Sequence, residues 1–455
     1  MRLYLFLLAP VLIAATDPAA WPKWRGPNET GLAQGSAPTE WTDSKNVAWK
    51  ANIPGRGHSS PVIWGDHIFL TTAVPVGDMP SAQNQNNPAP RPAGGPPPGG
   101  PPPGGRPPGG GRPGGGGAGG GFASGVEHKF IVMALDRKTG KTVWEKTLLT
   151  ATPHEGYHFR YGSFASNSPV TDGKHIFASF GSRGIYALDM KGNLVWQKNF
   201  GKMRMRLAFG EGVPTVLDGD RLLLNFDQEE GSFFTVLDKN TGKEIWKVER
   251  EEASSWAPPT VTTVGGRKQI IVAATNKVRA YDYESGKIIW QCGGLGTNVI
   301  PAPVIHNNTV IVMSGHRDPN RMAIKLGRDG DLTGTDAVVW QNTKGNSYTP
   351  SPVLHNGRLY FVTDNGILSA INATTGEQLY QERLPGTYAL KASLVGANGN
   401  LYASTEQGDV LVIKMSDKFE LVSNNKMGDE FFIATPAIAD GQIYIRGRNT
   451  LYCIK

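Results

Sequence analysis

Histidine and cysteine are scarce in this 455-residue chain, nine and two in all, and two of the histidines stand close together. His154 and His158, in the stretch HEGYH, offer two imidazoles with Glu155 between them. A metal needs a third and fourth ligand converging on it, and a four-residue spacing puts both rings on one face only in a helix. Pro153 and Gly156 break a helix, so the stretch reads as a loop and no metal is assigned. Cys292 and Cys453 stand alone, too far apart in a ring of repeats to form a disulfide. No GxSxG elbow, Walker loop or HExxH is present, and Gly210-Glu211-Gly212 matches a GxG only because glycine is abundant. Lys202, Arg204 and Arg206 form a local basic cluster, readable either as an anion seat or as a solvated loop.

What remains is a set of residues placed just before successive first strands of a repeat. They are His58, Glu211, Trp256, Asn298, Tyr348 and Lys391. They differ from unit to unit while the scaffold positions recur, as expected where a scaffold carries a site on its loops. They are the candidate ligand face; the alternative is that they are ordinary channel and loop residues. No catalytic residue and no resident cofactor is assigned.

The elements that position this face are short strands. Residues 166–196 read as four of them: an entry at Pro169-Val170, a hairpin at Asp172-Gly173, then 175–180, a turn at 181–184, 185–189, a turn at Lys191-Gly192, and 194–196. Alternating apolar residues broken by Gly, Asp and Asn are what half-buried antiparallel strands with tight turns require. The third strand recurs as VMALD, IYALD, FTVLD, VRAYD, RMAIK, LSAIN, VLVIK and LYCIK, spaced 41–53 residues apart. Strand entries recur at Pro61, Pro169, Pro214, Pro259, Pro303, Pro352, Ser393 and Pro436. Four strands per unit at this period predict an all-β fold, an eight-bladed β-propeller of four-stranded antiparallel blades.

Trp144, Trp196, Trp246, Trp290 and Trp340, with Tyr380 standing in, close successive units and are expected to fill gaps between blades. The eighth unit stops after its third strand at Lys455, while residues 46–49 (NVAW) form an orphan fourth strand near the other end. That strand is expected to complete the last blade and close the ring.

Residues 1–20 carry Arg2, an apolar run over 3–15 and then small residues, the pattern of a secretory signal. No cysteine follows the run, so no lipid anchor is expected there, and the mature chain is expected in the periplasm or outside the cell. Residues 75–126, rich in Pro and Gly, are expected to be a disordered loop inserted in the first blade of a single domain spanning 21–455. Without signal and loop, 383 residues remain, in line with eight repeats, and the formal charge falls from +7 to +5. That is too mild to point to nucleic acid.

ALDRKTGKTVW (134–144), VLDKNTGKEIW (236–246), SPVTDGKHIF (168–177) and WPKWRGP (21–27) make the chain resemble the PQQ-like repeat propellers, relatives of quinoprotein alcohol dehydrogenases. It more closely resembles the non-enzymatic outer-membrane-assembly propellers and the secreted PQQ-like repeat proteins. The resemblance implies that PQQ binding is conceivable; the dehydrogenases pair the quinone with adjacent cysteines, a Trp floor and a calcium or lanthanide held by acidic and amide groups. Here there is no Cys-Cys pair, and only Trp256 is available as a floor. The expected function is therefore a non-enzymatic interaction scaffold, a monomer holding a protein partner on one propeller face. A PQQ- and calcium-dependent dehydrogenase and a carbohydrate- or small-ligand-binding module are the alternatives.

Overall fold

A computed structural model describes residues 19–77 and 125–455. Its strands form eight sheets, seven of four strands and one of five, arranged as the blades of a propeller. Blade 1 takes Val62–Trp64, His67–Pro75, His128–Asp136 and Thr142–Ala151 from the inside outwards. The Pro/Gly-rich stretch leaves this blade between its second and third strands. Those two strands stay paired as far as Pro75 and His128, so the expected loop boundary at 75 falls inside a strand. The rest of that expectation, like residues 1–18 of the proposed signal, lies outside the described residues.

The ring closes as the orphan strand requires. Val47–Asn52 pairs antiparallel with Thr450–Ile454, giving the eighth blade one strand from near the start of the chain and three from its end. Cys453 sits in that blade and Cys292 in the fourth; both are buried and free.

Two hydrogen-bonded devices hold one blade to the next. On the outside, the Trp that ends one blade lies over the glycine in the last turn of the following blade, and its indole N–H donates to a carbonyl beside that turn. Trp49 so meets Gly140 and Arg137 (3.0 Å), Trp144 meets Gly192 and Met190 (3.1 Å), and Trp196 meets Gly242 and Lys239 (2.8 Å). Trp246 and Trp340 repeat the contact on Gly286 and Gly376. The glycines are obligatory twice over: each has positive φ, and a Cβ on any of them would meet the indole within 3 Å.

Trp290 departs from the expectation. Blade 5 replaces the usual turn with a longer excursion whose Gly330–Asp331 pairs parallel with Trp290 and Gln291, adding a fifth strand to blade 4. Trp290 is buried beneath it and donates to Gln269 Oε1 inside its own blade.

On the inside, the residue before each first-strand Pro carries the second device. Where it is Ser or Thr, its hydroxyl oxygen accepts the backbone N–H of the equivalent residue one blade back. Ser60 N–H donates to Ser168 (2.8 Å), Ala302 to Ser351 (2.9 Å), Ser351 to Ser393 (2.9 Å), Ser393 to Thr435 (3.1 Å) and Thr435 to Ser60 (3.0 Å). The belt is interrupted where Val213, Pro258 and Ala302 offer no hydroxyl to the preceding blade. It also corrects one register: Ser393 aligns with Ser351, not with Pro352, so Leu394 occupies the proline position in blade 7.

The segment WPKWRGP closes one end of the channel. Trp21 exchanges backbone hydrogen bonds with Ile63 in blade 1, and Pro22 accepts from Thr171 in blade 2. Trp24 donates to Thr435 in blade 8, Arg25 donates to Pro352 O in blade 6, and Gly31 accepts from Gly396 in blade 7. The chain from Trp21 to Gly31 thus ties together five blades.

Candidate functional site

The opposite mouth is built from the connections between blades and from the turns joining second and third strands. Its main cover is the connection 152–169 between blades 1 and 2. Pro153 and Gly156 leave it without a helix, as expected. Arg56 holds it down, donating to the carbonyls of Phe159 (2.8 Å), Arg160 (3.1 Å) and Gly162 (3.0 Å). Arg160 then reaches blade 7, where its guanidinium forks onto Glu406 Oε2 at 2.8 and 3.0 Å. The Glu406 side chain is wholly buried, so the pair pins the cover across the mouth.

The next residue, Tyr161, lies beneath the ammonium of Lys391, 4.5 Å from the ring centre. Lys391 pairs with Asp364, which also accepts from the Thr349 N–H (2.8 Å) and hydroxyl (2.7 Å). Tyr348 stacks on the exposed ring of His316 at 5.0 Å, and Asn298 Nδ2 reaches the Tyr348 hydroxyl at 3.5 Å. Burial first, then the Asn298 contact and the charges of Asp364, Lys391 and Arg206, set the phenol pKa, with a net rise.

Asn298, Tyr348 and Lys391 therefore belong to one side of the mouth. The other three candidates do not join them. His58 is buried within reach of the charges of Arg56 and Arg446; burial, then those two cations, push its pKa well below the ordinary value. Glu211 faces Ser182, whose N–H and hydroxyl (2.7 Å) both donate to it, with His154 at 3.9 Å and Arg183 close by. Burial raises its pKa against those partners. Trp256 is 9% exposed and donates to Gly210 O at 2.9 Å, packing with Met203, Met205 and Ile300 as core.

The histidine pair also separates. His154 bridges Met203 O and Arg183, whereas His158 lies between Phe159 and Tyr161, with Phe209 5.4 Å away. Among the described residues, no group of three or more His, Cys, Asp or Glu side chains converges as a metal site.

Sequence reading missed Tyr161, His316, the Arg160–Glu406 pair and the role of Arg206. They sit in turns outside the repeat register, and no period flags them. The same holds for two exposed apolar side chains. Phe159 is 61% exposed and Leu207 59%, the largest exposures among the large apolar side chains described. Most of the other exposed apolar residues lie along outer strands. Leu207 and Ala208 both adopt positive φ, a costly conformation for a leucine, held by bonds from Arg206 N–H to Ser254 Oγ (2.9 Å) and Ala208 N–H to Met205 O (3.0 Å). Arg204 pairs with Glu230, but the Arg206 side chain carries no ion pair among the described residues. The mouth thus presents an aromatic and basic surface with two apolar projections.

The mouth does not fit a quinone–cation centre. A calcium ion needs several oxygen ligands converging on one point, but Asp364 is committed to Lys391 and Glu406 to Arg160, while Glu155 accepts the Met205 N–H and Glu211 faces Ser182.

Fold and repeats define a PQQ-like repeat β-propeller. The family model for outer membrane protein assembly factor BamB matches residues 128–234 and 232–455, and the chain belongs to this family. Assembly factor BamB of Yersinia pestis is 22% identical over 336 residues, covering 72% of this chain and 80% of that protein; BamB of Escherichia coli is 24% identical over 333 residues, covering 71% and 79%. In structure, BamB from Moraxella catarrhalis superposes with a TM-score of 0.51 at 12% identity, over 71% of this chain and 93% of that one. The quinohemoprotein alcohol dehydrogenase of Comamonas testosteroni superposes at 0.60 and 11% identity, over 96% and 80%. At these identities the structural likenesses speak for the fold alone.

Proposed function

We propose that the protein is a non-enzymatic scaffold of the cell envelope, exported by residues 1–20 and acting in the periplasm or outside the cell, where it holds a protein partner on its mouth face. The observation that carries this reading is that Phe159 and Leu207 both project into solvent, with Arg206, which makes no ion pair among the described residues, beside the latter. An exposed aromatic and an arginine are residue types enriched at protein interfaces, and strain spent on holding a leucine outward fits a binding role. Membership of the BamB family supports an envelope-assembly setting. No helix among the described residues is long and apolar enough to cross a membrane. The protein acts as a monomer, without nucleic acid and without PQQ or calcium.

Photo-crosslinking in the native envelope tests this. A benzophenone side chain at position 159 or 207 should capture one defined protein, and the same group at the exposed outer-strand position 245 should not. Arg206→Glu should abolish the capture without changing thermal stability. Equal capture at all three positions, or none at any, would overturn the reading.

A second reading rests on the Tyr348–His316 stack, a flat and accessible pair of the kind that receives sugar rings. Quenching of protein fluorescence by an oligosaccharide panel, lost on Tyr348→Ala, would favour it.

A further inference from the structure

Inside the channel, WPKWRGP leaves one cation without a counter-charge. Arg25 is 2% exposed, and its guanidinium donates only to backbone carbonyls: Nε to Glu29 (3.3 Å) and Nη2 to Thr30 (2.9 Å) and Pro352. Its Nη1 is buried and has no protein acceptor. The nearest carboxylate, that of Glu29, is paired with Lys23 at 3.2 Å. Elsewhere the fold treats a buried guanidinium differently: Arg250, equally inaccessible, forks onto Asp227 at 2.7 and 3.1 Å. Arg321 and Arg446 also lack a carboxylate, but the buried nitrogen that each leaves without an acceptor is Nε. Arg25 leaves a whole terminal NH2 group.

Arg25 lines a small chamber between the segment and the inner walls of blades 3 to 5. The same chamber is lined by Thr215, also 2% exposed, whose hydroxyl has no partner either. Its other walls include Pro258 and Ala302, two of the residues at which the inner hydroxyl belt is interrupted. The interruption and the chamber occupy the same arc of the ring. Lys23 and Glu29 neutralise one another at its edge, so Arg25 is the uncompensated charge. Burial lowers its pKa to about 10, opposed by the Glu29 carboxylate. Two orphaned donors on one chamber, one of them charged, call for an acceptor bearing a single negative charge.

We propose that the chamber binds a compact anion, held by Arg25 Nη1 and the Thr215 hydroxyl, which locks the WPKWRGP segment to blades 3 to 5. The shared chemistry is that of chloride, a carboxylate or a phosphate oxygen, and the narrow walls exclude a group of cofactor size. This stands independently of any partner on the mouth face.

Thermal unfolding of the full mature chain at fixed pH and ionic strength provides the test, with bulky gluconate replaced stepwise by chloride, acetate or phosphate. The midpoint should rise with the logarithm of one anion's concentration once the site fills, and the anion that acts identifies the source. Arg25→Gln should weaken that anion roughly 10- to 100-fold, the range for a lost hydrogen bond to a charged group. Thr215→Val should weaken it less. Should Arg25→Gln fail to fold, the Thr215→Val titration and the anomalous signal of bromide in wild-type crystals decide the matter. Bromide in the chamber supports the site. Equal midpoints in all four salts, an unchanged response in folded Arg25→Gln, or, where chloride is the anion that acts, bromide only at the surface as an adventitious ion would each overturn it.

Discussion

The indole of Trp246 lies flat against Gly286 of the next blade, so close that a Cβ on that glycine would come within 2.6 Å of the ring, while its N–H donates to Tyr283 O at 3.1 Å. Five of the eight seams between blades carry this contact, counting Trp246 and its four equivalents. Trp246→Ala should cost about 3 kcal/mol, the lower end for removing a large packed aromatic because the ring is only half-buried. Gly286→Ala should cost about 1 kcal/mol or more from its φ of +70° alone, before the clash is counted. Urea unfolding measures both; losses within error would show that the seam carries no stability.

Ring closure predicts a different failure. Deleting residues 21–53 removes Val47–Asn52 and leaves Thr450–Ile454 as an open edge 5 residues long. The truncated chain should aggregate or lose its cooperative melting transition. Light scattering during a thermal ramp would reveal it, and an unaltered transition would refute the closure argument.

Arg160 and Glu406 should be strongly coupled. Arg160→Met leaves the Glu406 carboxylate buried without its cation, a loss of about 3–5 kcal/mol. Arg160→Met with Glu406→Gln should recover much of it, because the unpaired charge is then gone. A double-mutant cycle reads the coupling directly. Limited proteolysis near position 159 should also quicken in the single variant, since the cover would no longer be pinned to blade 7.

His58 predicts a pH dependence. Its pKa in the folded protein lies well below that of the unfolded chain, through burial and then the charges of Arg56 and Arg446. The unfolded state therefore binds the extra proton first as pH falls, and stability contributed by the neutral ring is present above the unfolded value and lost below it. Unfolding free energy should drop between about pH 7 and pH 5, on either side of the free histidine value of about 6.5. His58→Gln should flatten part of that slope, and an identical slope in the variant would assign it to other groups.

Titration with PQQ and calcium should give no saturable dye-linked oxidation of alcohols or aldoses. The reason lies in Asp364 and Glu406, each occupied by a cation of the protein itself. Turnover that disappears on Asp364→Asn would make the dehydrogenase alternative correct.

The chain's period alone determined the propeller, because each blade repeats the same local chemistry. Asp136, Asp238 and Asp282 open their turns by accepting hydrogen bonds at fixed spacing, glycine supplies the positive φ, and Trp lands where the next blade begins. These interactions are local or join neighbouring units, so spacing is sufficient to read them, and NVAW was legible for the same reason. Trp290 was not, since its partner strand Gly330–Asp331 arrives from the following unit at no repeat position. The mouth was legible only in part. Asn298, Tyr348 and Lys391 come together there, whereas Trp256 turns into the core and Glu211 to Ser182. Position before a strand fixes which end of the channel a residue occupies, but its direction depends on the packing of the connections. Arg160 meeting Glu406, Leu207 held outward and Arg25 left without a counter-charge all join parts of the chain far apart in sequence, or depend on what surrounds them. Only closure of the ring brought those groups together, because it alone sets which distant connections share the channel.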